Sequence, residues 1–397
     1  MKNFFLYDPK LLIYGFFIVF FASYGQTFFI SIFNYEIRSH YNLSDGGFGF
    51  VYAIATIFSS ILLISFAKLI DFIDLRVYSF IITIGMFLSC LAMFFFIKHL
   101  SFLFLTIFAL RFFGQGAMSH AGETSMARYF ENNRGKALSV STLGGMIGVM
   151  FLPMFIIYLM KHWSINQIWL GVSFSILLFI PLLFYSLNDQ SNRHINFKKN
   201  INNDLRNQKW RTRDIIKQRK FYIYLPLSIS LSFISTGLMF HQIFIFNEKG
   251  WSLEMLGNGF LFLGIFSIIG LLIGGPIIDK FDTRKTVLTA LLPLFLALIV
   301  LLFFDNYFFL IIYMSLYGLN HGIYTPFIGA LWAEIYGVES LGTVKALLHA
   351  GGVFSSALSP LVFGYLINWG FGIFTIVTIS ILIIIIATIL PIFKKLP

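Results

Sequence analysis

Charged residues are scarce in this sequence: they make up 11% of the 397 residues, whereas 58% of the residues are hydrophobic. An average soluble domain carries about 25% charged residues. So few charges cannot cover so much apolar surface in water. A water-soluble enzyme and a DNA-binding domain are therefore excluded, and the net charge of +11 does not indicate a nucleic-acid partner.

Several chemical motifs are also missing. Cys90 is the only cysteine, so an intrachain disulfide and a multi-cysteine metal site are excluded. The sequence contains no G-x4-G-K-S/T loop, which argues against a built-in ATPase. It also contains no clustered nucleophile, base or metal-ligating set. We therefore expect neither an enzyme nor a bound metal or cofactor.

Long apolar runs recur through the whole sequence. Each is long enough to cross a bilayer as a helix, which takes ~20 residues, and each is apolar around its full circumference. The first run is too long for a signal-peptide core, so we expect it in the mature protein. We number the twelve runs span one to span twelve: 11–34, 47–66, 77–97, 101–127, 137–160, 165–187, 221–246, 255–278, 286–304, 307–332, 344–368 and 371–393.

Lysine and arginine predict the orientation of these spans. If both termini are cytoplasmic, 23 of the 28 Lys and Arg residues lie on the cytoplasmic side, four lie on the opposite side, and Arg111 lies inside a span. This asymmetry follows the positive-inside rule and accounts for the net charge. We therefore expect a multi-pass protein of the inner, cytoplasmic membrane, in contact with lipid and with both termini inside the cell.

The two halves of the sequence repeat each other at a fixed offset. Asp71 recurs as Asp279 after 208 positions, and the motif Tyr129-x5-Gly135 recurs as Tyr336-x5-Gly342 after 207. Several matches in one register indicate a duplicated unit. The sequence therefore predicts an all-α membrane protein with twelve transmembrane helices in two pseudo-symmetric six-helix bundles. The predicted parts are the bundle 1–187, a basic cytoplasmic linker 188–220 and the bundle 221–397.

Spans two and eight are each followed by a loop that has a carboxylate at the helix end and a cation five residues later. Such charges at the cytoplasmic surface can hold neighbouring helices together and release them when the helices move. We therefore predict a conformational latch in these loops. Its residues are Asp71, Arg76, Asp279, Lys280, Arg284 and Lys285.

These loops resemble the signature G-x-L-x-D-R-x-G-R-K of the major facilitator superfamily. The first copy departs from it at Ala67, Phe72 and Asp74, and the second copy at Asp282. Span four, with Arg111-Phe-Phe-Gly-Gln-Gly, and the Gly- and Pro-rich span five are similar to the family's patterns in the same helices and look like a bacterial-type subgroup. The resemblance implies alternating access, with spans one, four, seven and ten lining a central cavity.

Ionisable groups inside a bilayer cost at least a few kcal/mol, so each is a functional candidate. Arg111 can hold an anion or stabilise a proton-coupling site; the alternative is a structural salt bridge or hydrogen bonds to a neighbouring helix. His120 and Glu123 share a face of span four. They could instead be a helix-contact histidine and an interfacial carboxylate paired with Arg128 or Arg134. In a straight helix His120 points away from Arg111.

The other candidates lie in spans one, seven and ten. Tyr317, His321 and Tyr324 form one stripe on span ten, which can be a cavity wall or aromatic packing between helices. Histidine titrates near neutral pH and suits proton coupling, whereas no pair of the membrane histidines has metal-ligand spacing. The residues predicted to contact solute or proton are Arg111, Tyr24, His241, Gln242, Asn320, His321, Tyr324, His120 and Glu123.

The sequence therefore predicts a secondary active transporter that is not an enzyme. We expect it to move a small polar or anionic solute, such as a monocarboxylate or another organic anion, by alternating access with proton coupling. We expect it to be monomeric. The alternatives are efflux of a drug or metabolite by proton antiport and, from a different class, a membrane-embedded enzyme or a channel.

Overall fold

The computed structural model describes residues 7–130, 133–191, 193, 210–337 and 340–393. Every regular element in these ranges is a helix, which confirms the all-α class. Residues 194–209 of the predicted linker 188–220 lie outside the described residues, as do Lys2, Lys394 and Lys395 of the predicted cytoplasmic termini.

Each of the twelve predicted runs coincides with helix. Spans one to six comprise Pro9–Ala22, Ser23–Gly25, Thr27–Ile30, Ser31–Phe33 and Asn34–Tyr41; Asp45–Phe66 and Ala67–Asp71; Leu75–Phe95; Leu100–Leu110, Arg111–Met118 and Ser119–Tyr129; Arg134–Leu159; and Ile165–Ser186. The short helix Thr212–Ile216 then precedes spans seven to twelve. These comprise Arg219–Phe240 and Gln242–Glu248; Leu253–Lys280; Thr283–Val287 and Leu292–Phe303; Tyr307–Tyr336; Leu341–Asn368; and Ile373–Phe393.

Within the described residues, ten helices are long and apolar enough to cross a membrane, or eleven if the two bent segments of span one count as one. Of the twelve predicted spans, span ten is the one that these eleven do not include. That span is a continuous helix of 30 residues, but polar residues such as Asn320 and His321 lie in the middle of its apolar sequence.

Short polar motifs set where the helices begin. Span six starts at a capping box, in which Ser164 and Gln167 each bind the other's backbone. Span eight starts after Ser252, whose hydroxyl accepts from the Met255 N–H at 3.3 Å. Span ten starts after Asn306, whose Oδ1 accepts from the Phe308 N–H at 3.0 Å. These side chains satisfy N–H groups that the first helical turn leaves without partners.

The chain divides into two compact units. The first comprises Met1–Leu43 and Ile54–Leu205, and the second comprises Ser44–Ala53 and Arg206–Pro397. The first turns of span two thus group with the second unit, a feature that the sequence repeat does not predict. The predicted domain boundaries themselves stay predictions, because much of the linker lies outside the described residues.

The two units have different cores. In the first unit span one packs against spans four, five and six, and the Trp169 ring of span six lies 5.7 Å from Phe29 and 5.0 Å from Phe33 between centroids. In the second unit span ten packs mainly against span eight, and span seven against span eleven. Span one and span ten therefore each lie against several helices of their own unit, and Tyr24 of span one and Asn320 of span ten are buried there.

Candidate functional site

Arg111 lies near the middle of span four, and only 1% of it is exposed. Its Nε donates to Thr56 Oγ1 at 3.2 Å, while Nη1 donates to the Gly25 carbonyl oxygen at 3.0 Å and to Thr27 Oγ1 at 3.4 Å. The hydrogen bonds to a neighbouring helix that the sequence left open as an alternative are therefore present. They tie Arg111 to spans one and two.

Span one is interrupted beside this guanidinium group. Gln26 has an extended backbone, with φ −83° and ψ 154°, and the segments Pro9–Gly25 and Thr27–Tyr41 are bent by 46°. An interruption leaves carbonyl groups at the end of the first segment without their helical partners. Arg111 supplies a charged donor to one of them, the carbonyl of Gly25.

Close backbone contact explains why the interruption and Arg111 coincide. A Cβ atom on Gly114 would lie 2.7 Å from the Gly25 Cα, so neither position can carry a side chain without a shift of the helices. Span four is a π-helix over Arg111–Met118, a conformation that is rare and often found at functional sites. The spacing of a straight α-helix therefore does not apply between Arg111 and His120.

The other predicted residues of the first unit have separate surroundings. His120 is half-buried, and its ring is within 3.3 Å of the Thr124 hydroxyl on the same helix. Glu123 is exposed. Tyr24 is buried, and its hydroxyl is hydrogen-bonded to Ser175 Oγ of span six at 2.9 Å. Tyr24 is thus engaged within the helical core of the unit.

In the second unit, the predicted stripe on span ten divides into two kinds of residue. The Tyr317 hydroxyl donates to Ser235 Oγ at 2.6 Å, and the Tyr324 hydroxyl donates to the Leu227 carbonyl oxygen at 2.9 Å. Both tyrosines therefore pack against span seven, as the alternative reading of the stripe proposed. His321, between them, is exposed although it lies in the middle of the helix.

Asn320 is fully buried and faces a different neighbour. Its Oδ1 accepts a hydrogen bond from the Leu294 N–H at 3.2 Å, at the start of the helix Leu292–Phe303. The amide of Asn320 thus caps span nine from its side. This contact gives Asn320 a structural role in the unit.

His241 stands where span seven is interrupted, and Gln242 follows it; both are buried. The Nε2 atom of His241 is 3.0 Å from the Pro360 carbonyl oxygen of span eleven. Its Nδ1 atom is 3.8 Å from Asp45 Oδ1. Asp45 is the first residue of span two and belongs to the second unit.

The predicted latch residues of the first loop form ion pairs, but with different partners from each other. Asp71 binds Arg128 of span four, and the same arginine donates to the Ile70 carbonyl oxygen at 3.0 Å. Arg76 instead binds Asp74, two residues before it, at 3.0 Å and donates to Ser191 Oγ at 3.1 Å. The helix-to-helix contact of this loop therefore runs through Asp71 and Arg128.

In the second loop the charges of the ion pair are exchanged between loop and helix. Arg284 Nε donates to Glu334 Oε1 of span ten at 2.8 Å. The side chains of Asp279, Lys280 and Lys285 are exposed, and within the described part of the chain none of them forms an ion pair. In this unit the loop thus contributes the cation and the long helix contributes the carboxylate.

Sequence reasoning missed several polar neighbours of the predicted residues. Thr56 and Asp45 were not singled out, although a carboxylate at the first position of an apolar run is a visible signal for Asp45. Glu334 was missed because its partner Arg284 is 50 residues away in the chain. No group of three or more His, Cys, Asp or Glu residues in the described ranges could hold a metal ion.

The chain is built from two copies of one repeat, and in each copy an apolar helix is interrupted beside a buried ionisable group. Such an arrangement is typical of a polytopic membrane transporter. The family model of the Major Facilitator Superfamily matches residues 15–266 and again residues 227–396. The chain belongs to the major facilitator superfamily, as the loop motifs suggested. It is a multi-pass membrane protein and a secondary transporter of a small-molecule solute.

A solved structure supports the same fold. It is the crystal structure of a bacterial homologue of the human lysosomal transporter Spinster in an inward-facing and unoccupied conformation. This chain is similar to it with 14% sequence identity and a TM-score of 0.66, over 96% of this chain and 95% of the other. No curated protein sequence matches the chain. At such low identity the likeness establishes the fold alone.

Proposed function

We propose that this transporter moves a small polar or anionic solute, such as an organic anion, and couples its movement to protons. The observation that carries the proposal is the burial of Arg111 at the interruption of span one. An arginine inside a bilayer is costly and marks a functional site by default. Interrupted membrane helices are the elements that form solute sites in secondary transporters.

The chemistry of Arg111 favours an anion. Its guanidinium group keeps its charge at all physiological pH values and presents several donors in a fixed plane, which suits a carboxylate. The Thr27 and Thr56 hydroxyls that accept from it hold the plane in place. A solute carboxylate can replace either hydroxyl with a stronger, charge-assisted hydrogen bond.

His321 is the candidate of the second unit that is best suited to meet a solute. Its neighbours Tyr317 and Tyr324 direct their hydroxyls to span seven, whereas the imidazole is exposed in the middle of span ten. Histidine can exchange a proton near neutral pH. We assign Arg111 to solute binding and His321 to solute or proton binding. The loop pairs Asp71–Arg128 and Arg284–Glu334 act as the latch.

The test is a ligand screen followed by transport. Purified protein is screened by thermal shift against organic acids, sugars and amino acids, and compounds that raise the melting temperature are tested for uptake and counterflow in proteoliposomes. Arg111→Gln and Arg111→Lys are compared with Lys98→Gln, which removes one exposed cation outside the spans. We expect an organic acid to stabilise the wild type and the Lys98 variant.

The Arg111 variants separate a binding role from a structural one. We expect Arg111→Gln to abolish uptake and the ligand-induced shift. Arg111→Lys keeps a cation near the Gly25 carbonyl and should fold with a melting temperature close to that of the wild type, but with weakened solute binding. Normal uptake by Arg111→Gln would remove Arg111 from the site, and single-channel currents would replace a transporter with a channel.

Coupling and direction need two further assays. Dissipating the pH gradient should stop solute accumulation, and accumulation that continues unchanged would exclude proton coupling. Comparison of right-side-out and inside-out membrane vesicles distinguishes import from the alternative, efflux by proton antiport. The same vesicles test the cytoplasmic location of both termini with membrane-impermeant labels, and light scattering tests the monomeric state.

A further inference from the structure

His241 is a buried histidine with one ring nitrogen committed to the backbone. It is 1% exposed, and its Nε2 lies 3.0 Å from the carbonyl oxygen of Pro360. A carbonyl oxygen can only accept, so Nε2 must carry the hydrogen and donate it. In neutral His241 the other nitrogen, Nδ1, therefore bears a lone pair. The surrounding backbone fixes this tautomer.

The Nδ1 atom points toward a carboxylate. It lies 3.8 Å from Asp45 Oδ1 and has no hydrogen-bond partner within the described residues. This separation is too long for a hydrogen bond but within ion-pair range. A lone pair and a carboxylate repel each other, whereas an added proton between them would be attracted to both. The geometry therefore suits the binding of a proton at Nδ1.

We propose that His241 and Asp45 form a proton-binding site of this transporter, in which Nδ1 takes up the proton and the imidazolium pairs with the Asp45 carboxylate. The proton comes from water, and no bond between heavier atoms forms or breaks. This inference deepens the proposed proton coupling and rests on it for its role in transport, but the site itself can be tested without transport.

Aromatic side chains lie next to the pair, and the Phe240 ring centroid is 5.0 Å from that of His241. From span two, Phe48 and Tyr52 lie against Phe240, with ring centroids 4.9 and 4.7 Å away. Two ionisable side chains of these helices lie close by: Tyr52 packs against Phe240, and the Tyr365 ring of span eleven would lie 3.1 Å from a Cβ on Gly46. Both are phenols, and neither is a carboxylate or an amine.

Farther along span seven, Glu248 is hydrogen-bonded to the start of span twelve. Its Oε2 accepts a hydrogen bond from the Ile373 N–H at 3.0 Å. Arg38 is the charged group nearest to Asp45 on the preceding segment of the chain, and its Nε donates to the Leu43 carbonyl oxygen at 3.5 Å. A proton on Nδ1 places a positive charge 3.8 Å from the Asp45 carboxylate, inside a part of the unit where a charge without a counter-charge would be costly.

The pair lies where three helices meet closely. A Cβ on Gly49 of span two would clash with the Pro360 carbonyl, and a Cβ on Gly364 of span eleven would lie 2.6 Å from the Asp45 carbonyl oxygen. His241 is also the residue at which span seven is interrupted. Protonation adds an attraction between spans two and seven at this junction, while the Nε2 bond holds span eleven. Proton loss removes that attraction.

The test observes His241 directly in the intact protein. Phe240–His241 is the only Phe-His dipeptide in the sequence, so labelling with ¹³C-carbonyl Phe and ¹⁵N-His gives one assigned amide signal without a substitution. We expect this signal to move in one step between about pH 5 and pH 8. In Asp45→Asn the step should move to lower pH, because the imidazolium loses its counter-charge.

A second measurement uses stability. We expect the melting temperature of the wild type to rise relative to that of His241→Gln as the pH falls through this range, since glutamine can still donate to Pro360 but cannot bind a proton. His162→Gln, in an exposed loop, is the matched control and should follow the wild type.

Each outcome decides the inference. A His241 signal that does not move with pH, or an identical step in Asp45→Asn, would overturn it, whether or not the variants fold well. A normal titration together with transport that ignores the pH gradient would keep the proton site and reject proton-coupled transport. Proton-coupled transport with an unresponsive His241 would keep the proposed function and reject this site.

Discussion

The first helix of each unit is interrupted at a corresponding position, but the first unit contains one further interruption. In span one the helix Asn34–Tyr41 starts after Phe33, which has φ −94° and ψ 14°. In span seven the helix Gln242–Glu248 starts after His241, which has φ −99° and ψ 19°. These two residues are 208 positions apart, the offset of the sequence repeat. The interruption near the end of the first helix is therefore a property of the repeated unit.

The second interruption occurs only in the first unit. Span one is broken again at Gln26, next to Gly25 and Arg111, whereas the corresponding part of span seven is continuous helix within Arg219–Phe240. Glycine packing follows the same division. Gly114 of span four lies against span one, but Gly322 of span ten, 208 positions later, lies against span eight. Duplication therefore preserved the helices, whereas the polar contacts between them differ from one unit to the other.

The strongest loss of function is expected where spans one and four come close together at Gly25 and Gly114, a contact specific to the first unit. A methyl group at Gly25 would overlap the Leu110 carbonyl and approach the Gly114 Cα to 2.8 Å, and backbone cannot move aside as a side chain can. We expect Gly25→Ala to lower stability by about 3 kcal/mol and to abolish transport. Size-exclusion of the fluorescently tagged protein and its melting temperature measure the loss.

Two matched glycines show whether the loss is specific. Gly275→Ala should be tolerated, because nothing lies within 4 Å of a Cβ there. Gly322→Ala should be as harmful as Gly25→Ala, since its Cβ would overlap the Ser267 carbonyl. If Gly25→Ala folded and transported normally, the close approach of spans one and four would be contradicted.

In the second unit, the buried amide of Asn320 is expected to matter for stability. Asn320→Leu removes the acceptor of the buried Leu294 N–H, and an unsatisfied buried donor costs about 1–3 kcal/mol. We expect a lower melting temperature with solute affinity unchanged, because Asn320 faces span nine. Asn258→Leu makes the same change at an exposed position and should have little effect. A loss of solute affinity at unchanged stability would move Asn320 into the binding site.

The helices were predictable from sequence, and the interruptions were not. Run length and apolar composition predict helices in a bilayer because backbone groups there must be paired within the segment, and caps such as Ser164 set their starts. The break at Gln26 and the π-helix after Arg111 arise from the close approach of Gly25 and Gly114. That contact joins residues about one quarter of the chain apart, so no local pattern contains it.

The partners of charged residues were only partly predictable. The loop motif correctly drew attention to Asp71 and Arg284, but it gave no information on which helix end lies nearest. Arg76 binds Asp74 because that carboxylate lies at the start of the same helix. Asp71 is then available to Arg128 of span four. Local competition of this kind is decided by three-dimensional proximity and not by spacing in the loop.

A smaller effect on stability is expected from these loop pairs. Asp71 is 56% exposed in its pair with Arg128 and Arg284 is 53% exposed in its pair with Glu334, and exposed pairs contribute about 0.2–1 kcal/mol. We expect Asp71→Arg and Glu334→Arg each to slow transport with little change in melting temperature. The exchanged pair Asp71→Arg with Arg128→Asp should recover part of the rate, and failure to recover would show that pairing itself is not what the latch needs.

The smallest change in stability is expected at Asp279, the counterpart of Asp71 in the repeat. Its side chain is exposed, and within the described ranges of its unit it makes no ion pair, so Asp279→Asn should change stability by no more than about 0.5 kcal/mol. If the loop carboxylate acts during the conformational change, the variant should exchange solute more slowly while binding it with unchanged affinity. Counterflow rate and ligand-induced thermal shift separate these two quantities.

Glu254→Gln, an exposed carboxylate at the other end of the same helix, is the control and should leave both unchanged. A pure loss of affinity in Asp279→Asn would contradict a role of this carboxylate in the latch and would leave the ion pairs Asp71–Arg128 and Arg284–Glu334 as the loop contacts to be tested.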